Sequence, residues 1–239
     1  MSSPSTAKLA TSARQHDASK HMSSVRTAQR AQGLEARTSK SEMTRAAIIG
    51  AALDLAAEQG LEAISLQVVA DRIGISKSGV FSRVGSREAL QQAVIAEFGR
   101  RFLADVFVPA MQAPRGLSRL NAIVRRWIER TRIVEANSGC IYTAGAFELD
   151  DRDGELRETL LKDVVSWRAA LRRTVLQAVN EGHLPTTTPV ENLVADIYSL
   201  MIGCVHDSRF LRDQTAPDRA HASYQRLIRS YSEPLSLSA

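Results

Sequence analysis

From Ser41 onward, apolar residues recur three and four positions apart and strand-like alternation is scarce, so the chain reads as all-α. The first helix is expected over Glu42–Gln59, with Ile48, Ile49, Ala52, Leu53, Leu55 and Ala56 as its apolar stripe and Gly60 as its stop. Ser65 suits the N-cap of a second helix over Leu66–Arg72, with Gly74 just past its end. Ser76 opens a short third helix through Arg83, closed by Gly85, and Ser86 caps a fourth over Arg87–Phe107.

Pro109, Pro114 and Gly116 mark the next break. A helix over Ser118–Asn137 follows, then a shorter one over Ile141–Leu149 and an acidic turn at Asp150–Gly154 that is expected to cap its successor. That successor runs over Glu155–Gly182. Thr188 as N-cap and Pro189 as first helical residue begin a helix to Arg212, and Pro217 begins the last.

The net charge of +5 brings nucleic acid to mind, but its location weakens the point. Residues 1–40 hold seven Lys and Arg against Asp17 and Glu35, so the whole excess lies in a Ser/Ala/Thr-rich segment with too few large apolar residues to fold. That segment is expected to be a flexible basic tail. Residues 41–110 hold 7 basic and 8 acidic side chains, a poor footprint for a non-specific DNA binder. No apolar run of the ~18 residues a membrane span needs is present, nor a secretory-type leader, and Cys140 and Cys204 are too few for a disulfide framework. A soluble cytoplasmic protein is expected.

The informative segment is Ser65–Val84, S-L-Q-V-V-A-D-R-I-G-I-S-K-S-G-V-F-S-R-V. Two short capped helices joined by a glycine turn are the helix-turn-helix arrangement, although the same pattern also describes a plain helical hairpin. A helix reads sequence in the major groove when its N-terminal half carries small or polar side chains. Ser76, Lys77, Ser78 and Ser82 meet that need, Gly79 permits close backbone approach, and Arg83 has the reach for phosphate or guanine. Val69, Ile73, Ile75 and Val80 would join the two helices as a small core.

Residues 44–94 resemble the N-terminal domain of the tetracycline-repressor-like (TetR) family. The resemblance rests on A-A-L-D-L-A-A-E-Q-G at the end of the first helix, V-A-D-R-I-G-I-S-K-S-G across the turn and G-S-R-E-A-L at the start of the fourth, in order and at family spacing. It implies a three-helix DNA-binding domain over 41–86, a connecting helix over 87–110 and a helical ligand-binding and dimerisation domain over 111–235. By position it also implies Ser65 and Gln67 against the DNA backbone, Thr44 from the first helix, and a reading surface of Ser76, Lys77, Ser78, Gly79, Ser82 and Arg83. Arg87 matches a phosphate-contacting position at a helix N-terminus, where dipole and cation both favour an anion. The chain departs from the family at Phe81, where tyrosine is common, and at Val84, where phenylalanine is common. Phe81 would then meet DNA through its ring or simply pack.

In the C-terminal part, Asn192–Val205 is apolar nearly all round, as expected of a helix covered on more than one side. Together with the helix from Pro217 it would form a two-fold four-helix interface, giving a homodimer matched to a palindromic operator. Trp127, Cys140, Phe147, Trp167, Tyr198, Met201 and Cys204 are the candidates for lining an effector pocket, and each is also suited to plain core.

Catalytic readings find no support in the residues. Cys204 and His206 point ~200° apart on a helix. The acidic turn lacks the first and twelfth ligands of a calcium loop, where Leu149 and Leu160 stand. No cofactor or metal is called for. The resemblance to the TetR family implies a repressor released from a palindromic operator by a small-molecule ligand. The alternative is a constitutive, architectural DNA-binding dimer without a ligand.

Overall fold

The structure, a computed structural model, describes residues 40–232, so the predicted basic tail lies outside the described residues except for Lys40. Residues 40–59 are helical, and the chain divides into two units between Ala47 and Ile48. In the first unit, Thr44 Oγ1 donates to the carbonyl of Lys40 at 2.9 Å, one helical turn back. Everything below concerns the second unit.

That unit opens with α1 (residues 48–59), whose Ile48, Ala52, Leu55 and Ala56 are buried. A single 3-10 turn, Leu61–Ala63, leads to α2 (Leu66–Ile73) and α3 (Lys77–Val84). The serine caps act as expected. Ser65 Oγ accepts from Val68 N, Ser76 Oγ from Gly79 N, and Ser86 Oγ from Ala89 N at the head of α4 (Arg87–Phe102). Gly74 closes α2 in the left-handed region at φ 70°, where a Cβ would be strained.

The remaining helices are α5 (Leu117–Arg130), α6 (Ile141–Glu148), α7 (Glu155–Asn180), α8 (Val190–Arg209) and α9 (Ala216–Ser232). They pack around an aromatic centre. The Phe102 ring lies 4.7 Å from Trp167 and 5.6 Å from Trp127, and the two indoles are 5.3 Å apart, all edge to face. This geometry favours contact between the positive edge of one ring and the negative face of another.

Two expected helix ends extend through π turns. After α4 the chain winds as a π turn over Leu103–Phe107 and continues helically through Val108–Ala110, past Pro109. The widened turn relieves the clash a proline ring makes with the carbonyl four residues back. After α5 a second π turn, Thr131–Glu135, leads into Ala136–Ser138. The two are tied by Arg130, which donates to Asp105 on the first and, at 3.3 Å, to Glu135 on the second. At the head of α8, Pro189 itself is the N-cap, and Thr188 instead donates its hydroxyl to Pro185 O at 2.7 Å. Nor do the acids of the 150–154 turn cap α7: its N-cap is Gly154, without a side-chain hydrogen bond.

On α4, the Glu97 carboxylate accepts from Arg100 at 2.8 Å and from Arg101 at 2.7 Å. The Arg100 hydrogen bond, followed by that of Arg101, holds its pKa down at about 2 from 4.5. A carboxylate depressed in the fold contributes stability above pH 4.5 and loses it as the pH falls toward 2. Because the arginines are largely exposed, we expect ~1 kcal/mol or less from this cluster. Thermal unfolding of Glu97→Gln should show a shallower decline of the midpoint across that acid window than the parent protein. An identical decline would remove Glu97 from the acid response.

Candidate nucleic-acid interface

An eight-residue helix is marginal alone, so α3 depends on what holds it. Val80 is fully buried against the rest of the unit and Val84 is half-buried. One buried valine contributes ~2 kcal/mol, and the Ser76 cap about 1 kcal/mol more. This inner edge and the cap fix α3 while leaving Lys77, Ser78, Phe81 and Ser82 exposed along one side. Phe81 therefore does not pack inward; it is 59% exposed, next to the polar residues it was expected to accompany.

The small residues of α3 are hydrogen-bonded among themselves. Ser76 Oγ and Ser78 Oγ lie 3.0 Å apart, and Ser82 Oγ donates to Gly79 O at 3.0 Å. A Cβ on Gly79 would stand 3.1 Å from the capping hydroxyl of Ser76, so the glycine keeps that cap unstrained. On the flank of Gly79, Arg83 donates through Nη1 to Gly79 O and Ser82 Oγ, each at 3.2 Å. Its Nε–H is enclosed and meets no acceptor among the described residues.

Other expected contacts are differently engaged. Gln67 Nε2 donates to Asp71 one turn along α2. Arg87 was expected to face a phosphate, but its guanidinium donates to Ile64 O at 2.8 Å and to Glu62 O at 2.7 Å, with the Glu62 carboxylate 3.2 Å away. Arg72 is paired with Glu58 through two hydrogen bonds, at 2.9 and 2.7 Å. Among the described residues of α2 and α3, Lys77 is the exposed cation that makes no ion pair. Thr44 belongs to the first unit.

The seven predicted pocket residues are not gathered in one cavity. Trp127, Met201 and Cys204 are core residues, and Tyr198 stacks edge-on to Trp127 at 5.9 Å. Cys140 and the 68% exposed Phe147 line a surface groove of about 1260 Å³ that runs between the end of α1 and α8. Trp167 is on the wall of a cleft of about 580 Å³ between α4 and α7, with Gly99, Phe107, Tyr142 and Asp163. The Tyr142 hydroxyl donates to Asp163 at 3.3 Å, and burial raises the pKa of both groups. Burial likewise pushes the Cys140 thiol up to about 12 and that of Cys204 to about 11, so neither is a ready nucleophile.

The sequence pairs Glu148 with Asp150 only as an unsupported acid–base candidate and does not announce Arg209; both reach into the helix-turn-helix region, from α6 and α8. Glu148 accepts from Leu61 N and Glu62 N, and Arg209 donates to Ala57 O. Their partners are 86 to 152 residues away along the chain, so no local pattern announces them. On α8, Leu193, Val194, Ile197 and Met201 are buried in the chain's own core, while Asn192, Asp196, Ser199, Gly203 and His206 form a face exposed in the single chain.

Residues 48–94 match the family model described as bacterial regulatory proteins, tetR family, and residues 116–224 match that of the tetracyclin repressor-like C-terminal domain. No curated protein matches the chain. Among solved structures, a TetR-family transcriptional regulator from Cytophaga hutchinsonii shares 18% identity at a TM-score of 0.69, covering 82% of this chain and 98% of that one. A TetR regulator from Chloroflexus aurantiacus J-10-FL shares 21% at a TM-score of 0.70, covering 80% and 96%. The regulator AibR, solved with isovaleryl coenzyme A and operator DNA, shares 17% at 0.62, covering 80% and 99%. At these identities the likeness is one of fold, and the family assignment rests on the two matching sequence segments. The chain belongs to the TetR family of transcriptional regulators.

Proposed function

We propose that the protein is a homodimeric, sequence-specific repressor in which α3 enters the major groove and from which a small-molecule ligand releases the operator. The observation that carries the reading is the asymmetry of α3: Val80 holds it from inside, while Lys77, Ser78, Phe81 and Ser82 are presented together on its outer side. Ser65, Gln67 and Ser76 complete the polar approach, and Arg83 lies half-exposed beside Ser82. With Arg72 and Arg87 paired inside the protein, phosphate attraction falls largely to Lys77 and Arg83, doubled by the two-fold axis.

Dimerisation would use α8 and α9, where Ser199 and Gly203 leave room for a second helix to approach. The effector is proposed to enter the cleft between α4 and α7, because a molecule lodged there presses on the helix that begins two residues after Gly85, the end of α3. AibR, solved with isovaleryl coenzyme A and operator DNA, supports the ligand-responsive reading over the constitutive one. A ligand shifts the equilibrium only by its differential affinity for the two states.

Footprinting the purified protein on DNA flanking its own gene tests the function. A protected stretch with two-fold symmetry is expected, and uniform cleavage at all protein concentrations would refute it. On the protected site, Lys77→Ala should reduce the slope of log affinity against log salt by about one per monomer. A slope equal to that of the parent would show that Lys77 touches no phosphate.

A further inference from the structure

The turn between α1 and α2 is six residues long, Gly60–Ser65, and side chains from both halves of the molecule converge on it. From α6, the Glu148 carboxylate accepts from Leu61 N at 2.8 Å and from Glu62 N at 2.7 Å, one oxygen to each amide. From α4, Gln91 Nε2 donates to Leu61 O at 2.8 Å, and Arg87 takes the carbonyls of Glu62 and Ile64. Arg152, beyond α6, adds an ion pair to Glu62 at 3.4 Å. Two of the turn's amides and three of its carbonyls are thus met by side chains from elsewhere.

The packing is close. Gly60 stands at φ 92°, ψ 164°, a conformation essentially reserved for glycine, and a Cβ there would lie 2.9 Å from both Glu148 oxygens. Leu61 is buried against Gly145 of α6, where an added Cβ would come within 3.0 Å of the leucine methyl. Nearby, Arg209 at the end of α8 donates to Ala57 O and to Asn137 O, both at 2.8 Å, bridging α1 to the end of the α5 segment.

We infer that Glu148 and Arg209 are the positioning residues through which the effector half sets the orientation of the reading half. The inference rests on the reading of α3 as the DNA-contacting helix, and it adds where the coupling is made. A carboxylate bridging two adjacent amides is a charge-assisted, directional contact, so displacement of α6 moves the turn from which α2 and α3 follow. Arg209 ties the same region to α8, the proposed dimer helix, so the spacing of two reading helices is referred to the two-fold axis. Coupling of this kind needs two arrangements of a contact: a displacement of α6 would break the Glu148 contact, and a displacement of the end of α8 the Arg209 contact.

The test uses full-length Glu148→Gln, Glu148→Ala and Arg209→Ala, with hydrogen exchange on the free protein, thermal unfolding and affinity for the footprinted operator. For Glu148→Gln the expected result is a loss of protection, tenfold or more, at the Leu61 and Glu62 amides and across α2 and α3. Protection in α5 and α7 should remain as in the parent. Operator affinity should fall about tenfold, with Glu148→Ala falling further and Arg209→Ala loosening the end of α1. If exchange in α2 and α3 equals that of the parent in both Glu148 variants, the inference is overturned. It is equally overturned if protection falls evenly through the whole chain, which marks a merely structural carboxylate. Because exchange is read without DNA, failure of the parent protein to bind any operator would refute the reading of α3 and leave this result standing.

Discussion

Arg130→Ala should destabilise the protein by about 3–5 kcal/mol, because it strips the counterion from a fully enclosed carboxylate. Glu135 has no exposure to solvent, and Arg130 is 7% exposed. The guanidinium donates to Glu135 and Asp105 and lies 5.3 and 5.7 Å from the ring centroids of Phe98 and Phe102. Thr131 supplies a further hydrogen bond, at 3.0 Å to the other Glu135 oxygen. Burial already pushes the Glu135 carboxyl above the usual range, opposed first by Arg130. Without the arginine, Glu135 takes up a proton or draws in water, and either response also loosens the two π turns that the pair joins.

A folded protein of this size holds about 5–15 kcal/mol, and 1 kcal/mol moves the melting temperature by about 2–4 °C. The expected fall is therefore on the order of 10 °C by calorimetry. Arg130→Met combined with Glu135→Leu should recover most of it, since an apolar pair of similar volume replaces the ion pair and the carboxylate left unpaired, Asp105, is half-exposed. A single Arg130→Ala variant melting within a degree of the parent would mean that the cluster is not the buried ion network described here.

The second large effect is on binding. On the proposed reading, Lys77→Ala combined with Arg83→Ala would remove two cationic contacts per monomer, four per dimer. At about 1–2 kcal/mol for each charge-assisted hydrogen bond, the sum is comparable to the roughly 4–10 kcal/mol that separates specific from non-specific binding. Affinity for the operator should fall by about a thousandfold, toward that for unrelated DNA. The fold should survive, because Lys77 is exposed and Arg83 half-exposed, so the melting temperature should change little. Fluorescence anisotropy with operator and scrambled duplexes checks this. A loss below tenfold would place the phosphate and base contacts elsewhere.

Much of the fold was legible because its signals are local. Ser65, Ser76 and Ser86 cap amides three residues ahead, and Gly74 turns the chain one residue past α2, so each is visible in a short window. The same holds for Val80, which follows from helical periodicity once Ser76 fixes the start of α3. Arg87 shows where this reasoning ends. Its position at a helix N-terminus fits an anion, yet acceptors 23 and 25 residues away compete for the guanidinium. The π turns were equally invisible, since their shape goes with Arg130 reaching Asp105, 25 residues away. Trp127 and Trp167 have the composition of a pocket wall, but packing against Phe102 makes one of them core and the other the side of a cleft.

Enrichment of a randomised duplex pool by the purified full-length protein, at moderate salt, measures sequence reading by α3 most directly. The expected result is a consensus of two inverted half-sites whose centres lie one helical turn of DNA apart, about 10 base pairs, or a multiple of it. The Lys77→Ala/Arg83→Ala variant should fail to recover that consensus. A pool that stays random with the parent protein would contradict the account.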